Sequence, residues 1–201
     1  DLHRRHPLRA AAAEWARLPR VTRLPVSPLA ADEIRALIQD IHPHPLSELA
    51  VRRIIERSGG NAFFAEQLVA AAADDDCAPT VPAELADLLL VRMDRLSPEA
   101  RQVVRAAAVA GRRVSHELLA EVVGIAASAL DAALHEAVDA HLLEPVGGSG
   151  YGFRHALLAE AVYGDLLPGE RVRLHATYAE ALTRTASGSA AELARPARES
   201  H

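Results

Sequence analysis

The chain has 201 residues, half of them hydrophobic, 24% charged and only 3% aromatic, which suits one large or two small domains with cores of Ala, Leu and Val in closely packed helices. A formal net charge of −5 argues against a dedicated nucleic-acid or anionic-membrane binder, since either needs a basic surface. All 22 basic residues are Arg, which excludes a G-x-x-x-x-G-K-S/T phosphate loop, a Schiff-base lysine and a Ser-Lys dyad.

In chain order, HPLRAAAAEWARLP predicts a helix stopped by Pro19, and VTRLPV a short strand. A lone strand needs neighbours, so the expectation is the edge of a sheet whose other strands lie upstream. After SPLAADE, with Asp32 and Glu33 in a first turn, apolar spacing predicts helices over 31–41 and roughly 46–57. In SGGNAFF, Gly59 or Gly60 suits a left-handed helix cap and Asn61 caps a further helix through residue 73. The acidic, Pro-containing DDDCAPTVP is expected to be a linker.

AELADLLLVRMDRLS is the next helix, and Ser97-Pro98-Glu99 supplies a cap, a first-turn proline and a first-turn charge for a helix to residue 110. An extended RRVS follows, then the helices HELLAEVV and ASALDAALHEAVDA, then two short strands in LLEPVGGSGYGFR around a Gly-rich turn. Three helices followed by a β-hairpin predict a winged-helix domain. Final helices are expected over 156–167 and 170–185, with a frayed tail from Ala186.

Candidate chemistry narrows quickly. His135 and His141 in HEAVDAH are six apart, whereas metal ligands on one helix face need a spacing of four. HPHP, residues 42–45, has no carboxylate cluster nearby and is expected to be a solvated turn. GGSGYG fails as a nucleophile elbow because Tyr151 stands where its second Gly belongs. The third helix of the winged-helix pattern carries Asp131, Glu136 and Asp139 and no Arg, the wrong sign for phosphate contacts. A single Cys77 allows no internal disulfide, no signal peptide opens the chain, and no apolar run reaches membrane-spanning length. A cytoplasmic setting, without membrane or direct DNA contact, is the expectation.

His155 stands at a helix start in one stripe with Leu158 and Val162, so it points inward. There it is either a satisfied core residue or a group aimed across a cleft at an anion, because helix starts offer unpaired N–H groups.

The succession SGGNAFFAEQL, VPAELADLLLVRMDRLSPEARQVVRAAAVAG and YGFRHALLAEAVYGDLLPGERVRLHATYAEAL resembles signal-transduction ATPases of the STAND class, in particular large bacterial regulators that end in a LuxR-type helix-turn-helix. In that class a P-loop core is followed by a helical lid and a winged-helix domain that close over ATP or ADP. The resemblance covers about His3 to Leu182. It implies a mainly α chain divided into the edge of an α/β P-loop core (1–28), a helical lid (29–76), a linker and connecting helix (77–96), a winged-helix domain (97–168) and a C-terminal helix and tail (169–201). Walker A and B segments, and the Mg they hold, would belong to an upstream core, so this chain carries no complete active site.

The resemblance places Gly60, Asn61 and Ala62 in the class's nucleotide-facing Gly-x-Pro turn, with Ala62 where proline is usual. It also places His155 near the β-phosphate of ADP, with Arg154 assisting electrostatically. Implied partners are the chain's own NTPase core, downstream output or sensor domains, and further copies in nucleotide-dependent assembly. Two alternatives remain: a protein-interaction module that reads no nucleotide, and a DNA-binding winged helix.

Overall fold

Ser47, Ser97 and Ser115 each turn a hydroxyl oxygen onto a backbone N–H three residues on, that of Ala50, Ala100 and Leu118 respectively. Each bond takes up a donor that a first helical turn leaves unpaired, and a helix begins at each serine. The computed structural model describes residues 8–22, 24–42, 44–72, 81–111 and 113–194. Its elements run α1 (Leu8–Trp15), α2 (Ala31–Ile41), α3 (Glu48–Ser58), α4 (Ala62–Ala72), α5 (Ala83–Asp94) and α6 (Pro98–Ala110), then β1 (Arg113–Ser115), α7 (His116–Val123) and α8 (Ala127–Asp139). The hairpin β2 (Leu143–Val146) and β3 (Gly150–Phe153) leads to α9 (Ala156–Asp165) and α10 (Pro168–Ala194). The protein is mainly helical, with one small antiparallel sheet in the order β1-β3-β2.

Helices α2, α3 and α4 form one layer. Ile34 and Ile38, Val51 and Ile54, and Phe64 and Leu68 recur at helical spacing and are buried together. Its α3–α4 turn uses two glycines with left-handed backbone, Gly59 (φ 56°) and Gly60 (φ 79°). The Gly60 carbonyl accepts a 2.8 Å bond from Leu29 N–H, and a Cβ at Gly60 would stand 2.6 Å from the Leu29 carbonyl oxygen and 2.7 Å from Pro28 Cβ. Segment 28–29 is therefore seated on a turn that has room only for glycine.

The second unit is built around α6, whose Val103, Val104, Ala106 and Ala107 are buried against α7, α8, α9 and α10. Glu136 of α8 accepts from the Ser97 backbone N–H (2.8 Å) and hydroxyl (2.6 Å), fastening α8 to the start of α6. Strand β3 pairs with both neighbours, Val114 opposite Tyr151 and Leu143 opposite Phe153. Tyr178 anchors α10 by donating its hydroxyl to the Ala106 carbonyl at 2.9 Å.

Two expectations need correction. The described residues of VTRLPV (21, 22 and 24–26; Arg23 lies outside them) form no strand: they lie outside the sheet, and Leu24 and Val26 are 81% and 94% exposed. A β-prone segment without a neighbouring strand has no ladder to join. The last helix, expected to end at residue 185, runs to Ala194, because the Ala-rich sequence carries it through a single Gly188 at modest cost. The expected linker at 74–80 with Cys77, Pro43 of HPHP, and both chain ends at 1–7 and 195–201 lie outside the described residues. Among the described residues, no single helix is long and apolar enough to cross a membrane.

Candidate functional site

Helix α9 is the meeting point of the two units. Leu157, Leu158, Ala161 and Val162 are buried, packing α9 against α5 and α6, while its other side meets α3. Beside that joint opens a cleft of about 1160 Å³, lined from the helical layer by Pro28, Glu56, Arg57 and Gly59, and from the second unit by Arg113, Glu144, Arg154, His155, Ala156, Glu160 and others. Among the described residues, three arginines and three glutamates share this lining.

His155 is the N-cap residue of α9, with extended backbone (φ −134°, ψ 138°), and its side chain makes no capping bond. His155 therefore caps the first turn of α9 only through its carbonyl, which accepts from the Leu158 N–H at 3.0 Å. The half-buried imidazole meets the Phe64 ring edge to face, centroids 5.2 Å apart. Burial, and secondarily the positive charges of Arg154 and Arg92, hold it below the usual histidine range, so it is neutral at pH 7. A neutral imidazole keeps one N–H to donate and one nitrogen to accept.

Arg154 is half-buried, lines the same cleft, and donates from Nη1 to His141 Nδ1 at 3.2 Å. His141 can receive that bond because it sits in a turn with left-handed backbone (φ 58°) between α8 and β2. Across the joint, Arg57 of α3 grips Glu160 of α9: Nε lies 3.1 Å and Nη2 2.5 Å from Oε2. Two side-by-side donors on one carboxylate give this ion pair a defined direction.

Of the residues expected from sequence, Arg154 and His155 face one cleft. Gly60, Asn61 and Ala62 are absent from its lining: Gly60 is turned onto Pro28 and Leu29, Asn61 accepts from Phe64 N–H at 3.3 Å as the cap of α4, and Ala62 is the first residue of that helix. The segment touches the site only indirectly, through the ring of buried Phe64 against His155. Sequence reading missed Arg57 and Glu160, which are 103 residues apart. Arg57 looks like an ordinary last-turn cation of α3, and no local signal marks its partner. Among the described residues, no group of three or more His, Cys, Asp or Glu is placed to hold a metal.

No family model matches this chain. It is similar to an uncharacterized protein of Rhizobium meliloti, 33% identical over 184 residues, a match that covers 82% of this chain and 18% of that protein. The chain thus spans less than a fifth of the relative's length. No solved structure matches.

Proposed function

We propose that this chain is the nucleotide-sensing lid and winged-helix part of an ATP-dependent regulatory switch of the STAND class, carried in a longer cytoplasmic LuxR-type transcriptional regulator. The observation that carries the reading is the contact between Phe64 and His155. It joins SGGNAFF and YGFRHALL, two of the three segments on which the resemblance rests, at the rim of a cleft bounded by both units. In this reading α2–α4 is the lid, and α6, β1, α7, α8, β2, β3 and α9 form the winged-helix domain, its hairpin paired with β1.

The residues present fit a phosphate-bearing ligand in part. The cleft is large enough for a nucleotide, and His155, Arg154 and the start of α9 supply N–H donors. Gly60, Asn61 and Ala62 do not face it, and neither does the buried Phe64, so any hold on the base falls to a neighbouring core. Bound ADP would supply a phosphate anion to which His155 donates, and the chain would convert that bond into a change in how the lid packs on α9. Output would follow from surfaces exposed or hidden by that change. Hydrolysis would belong to an upstream P-loop core that also holds Mg, and this segment would contact neither DNA nor membrane directly.

The test is a pair of substitutions in the full-length protein, with ADP and ATP affinities measured by calorimetry beside thermal melting. A bond from a histidine to phosphate contributes about 1.5–3 kcal/mol. His155→Phe keeps a ring against Phe64 but removes the donor; it should weaken ADP binding by about 10- to 100-fold and leave ATP binding and melting temperature nearly unchanged. His155→Ala should add a stability loss. Unchanged ADP and ATP affinities in both variants would refute the sensor reading.

A further inference from the structure

The Arg57–Glu160 pair carries an inference that rests on the proposed function and deepens it. Arg57 is only 18% exposed and Glu160 36%, so the guanidinium is held in one direction instead of sweeping through solvent. Its Nε and Nη2 are committed to Glu160. Its Nη1 makes no hydrogen bond among the described residues. Both residues line the cleft that also holds His155 and the start of α9. A guanidinium has five donors in a flat fork and can serve two acceptors from different edges.

We infer that Arg57 is a second phosphate-binding residue of the cleft, presented from the lid, with Glu160 as its positioning residue. Glu160 holds the Nε–Nη2 edge and leaves Nη1 for an anion lying toward His155. The ligand would then be held from both sides of the joint, by His155 on α9 and by Arg57 on α3. A phosphate bound this way closes the lid onto α9 without breaking the ion pair. The same anion without a base, inorganic pyrophosphate, should use these donors too.

The experiment measures ADP and pyrophosphate binding to the full-length protein by calorimetry, below the melting temperature of every variant. Arg57→Gln should weaken both ligands by about 10- to 100-fold, the scale of one charge-assisted hydrogen bond. Arg57→Lys keeps the charge but cannot serve Glu160 and the anion from two edges, so its loss should fall between wild type and Arg57→Gln. Glu160→Gln leaves the guanidinium in place but loosens it, and should cost a smaller factor, about 2- to 5-fold, on both ligands. If Arg57→Gln lowers only the melting temperature while both affinities stay at the wild-type level, the pair is structural and the inference is overturned. If His155→Phe weakens ADP and Arg57→Gln does not, this inference falls alone. If wild-type protein binds neither ligand, the proposed function falls with it.

Discussion

Replacing Gly60 by Ala, beside the same change at Gly59, tests the account of the α3–α4 turn. Both glycines have left-handed backbone, which costs an L-residue roughly 1–2 kcal/mol, and both gain about 0.4–1 kcal/mol from a stiffer unfolded chain. For Gly59, whose added Cβ would meet nothing within 4 Å, the two effects leave a net loss of about 1 kcal/mol or less. At Gly60 the Cβ would press on the Leu29 carbonyl oxygen at 2.6 Å and on Pro28 Cβ at 2.7 Å. Segment 28–29 must move, at an overpacking cost of roughly 1–3 kcal/mol, and the Leu29–Gly60 hydrogen bond is strained or lost for about another 1 kcal/mol. Gly60→Ala should therefore destabilise by about 2–5 kcal/mol. Urea unfolding should show the larger fall in midpoint for Gly60→Ala, and hydrogen exchange should show a faster Leu29 amide in that variant alone. Equal losses at the two glycines would mean that segment 28–29 is not seated on the turn.

Tyr178→Phe should cost about 1 kcal/mol by leaving the Ala106 carbonyl without its donor, read as a lower urea midpoint. Burial raises the Tyr178 phenol well above its ordinary pKa of 10, so its stability contribution is whole below pH 10 and is lost as pH rises beyond it; in Tyr178→Phe that alkaline loss should be smaller. His155 shifts the other way: its folded pKa lies below 6.5, so its contribution is whole above that pH and is lost as pH falls through the folded value. Wild type should thus lose more melting temperature between pH 7 and pH 5 than His155→Phe, and superimposable profiles would show that the imidazole is not desolvated.

Local chemistry made much of this fold readable. Ser97-Pro98-Glu99 announces α6 because hydroxyl, ring and carboxylate each answer a need of a first turn, and Ser97 does accept from Ala100 N–H. The hairpin was legible because Gly147, with positive φ, permits a tight reversal between two short apolar runs. What failed was whatever depends on distant parts of the chain. VTRLPV has strand-forming side chains, but pairing is a property of two segments, and one window cannot supply the second. His155 could be placed at a helix start and facing inward, yet its contact with Phe64 is a tertiary fact. Arg57 and Glu160 lie in helices that read as ordinary amphipathic segments, and only packing brings them within 2.5 Å.

The contrast between the two sides of α9 decides how a ligand in the cleft could be felt. Toward α5 and α6 the helix presents Leu157, Leu158, Ala161 and Val162, each at most 4% exposed, and separating such a face would expose close-packed apolar surface at roughly 25 cal/mol per Å². Toward the α2–α4 layer it offers a bidentate ion pair and one edge-to-face ring contact. A partly exposed ion pair contributes about 1 kcal/mol or less and an aromatic pair about the same. If an anion binds at its N-terminus as proposed, bending α9 would therefore be the expensive response and tilting the α2–α4 layer about the joint the cheap one. Because the pair is directional but weakly cohesive, in the proposed switch it would set the register in which the α2–α4 layer docks while leaving the docking equilibrium within reach of a single phosphate bond.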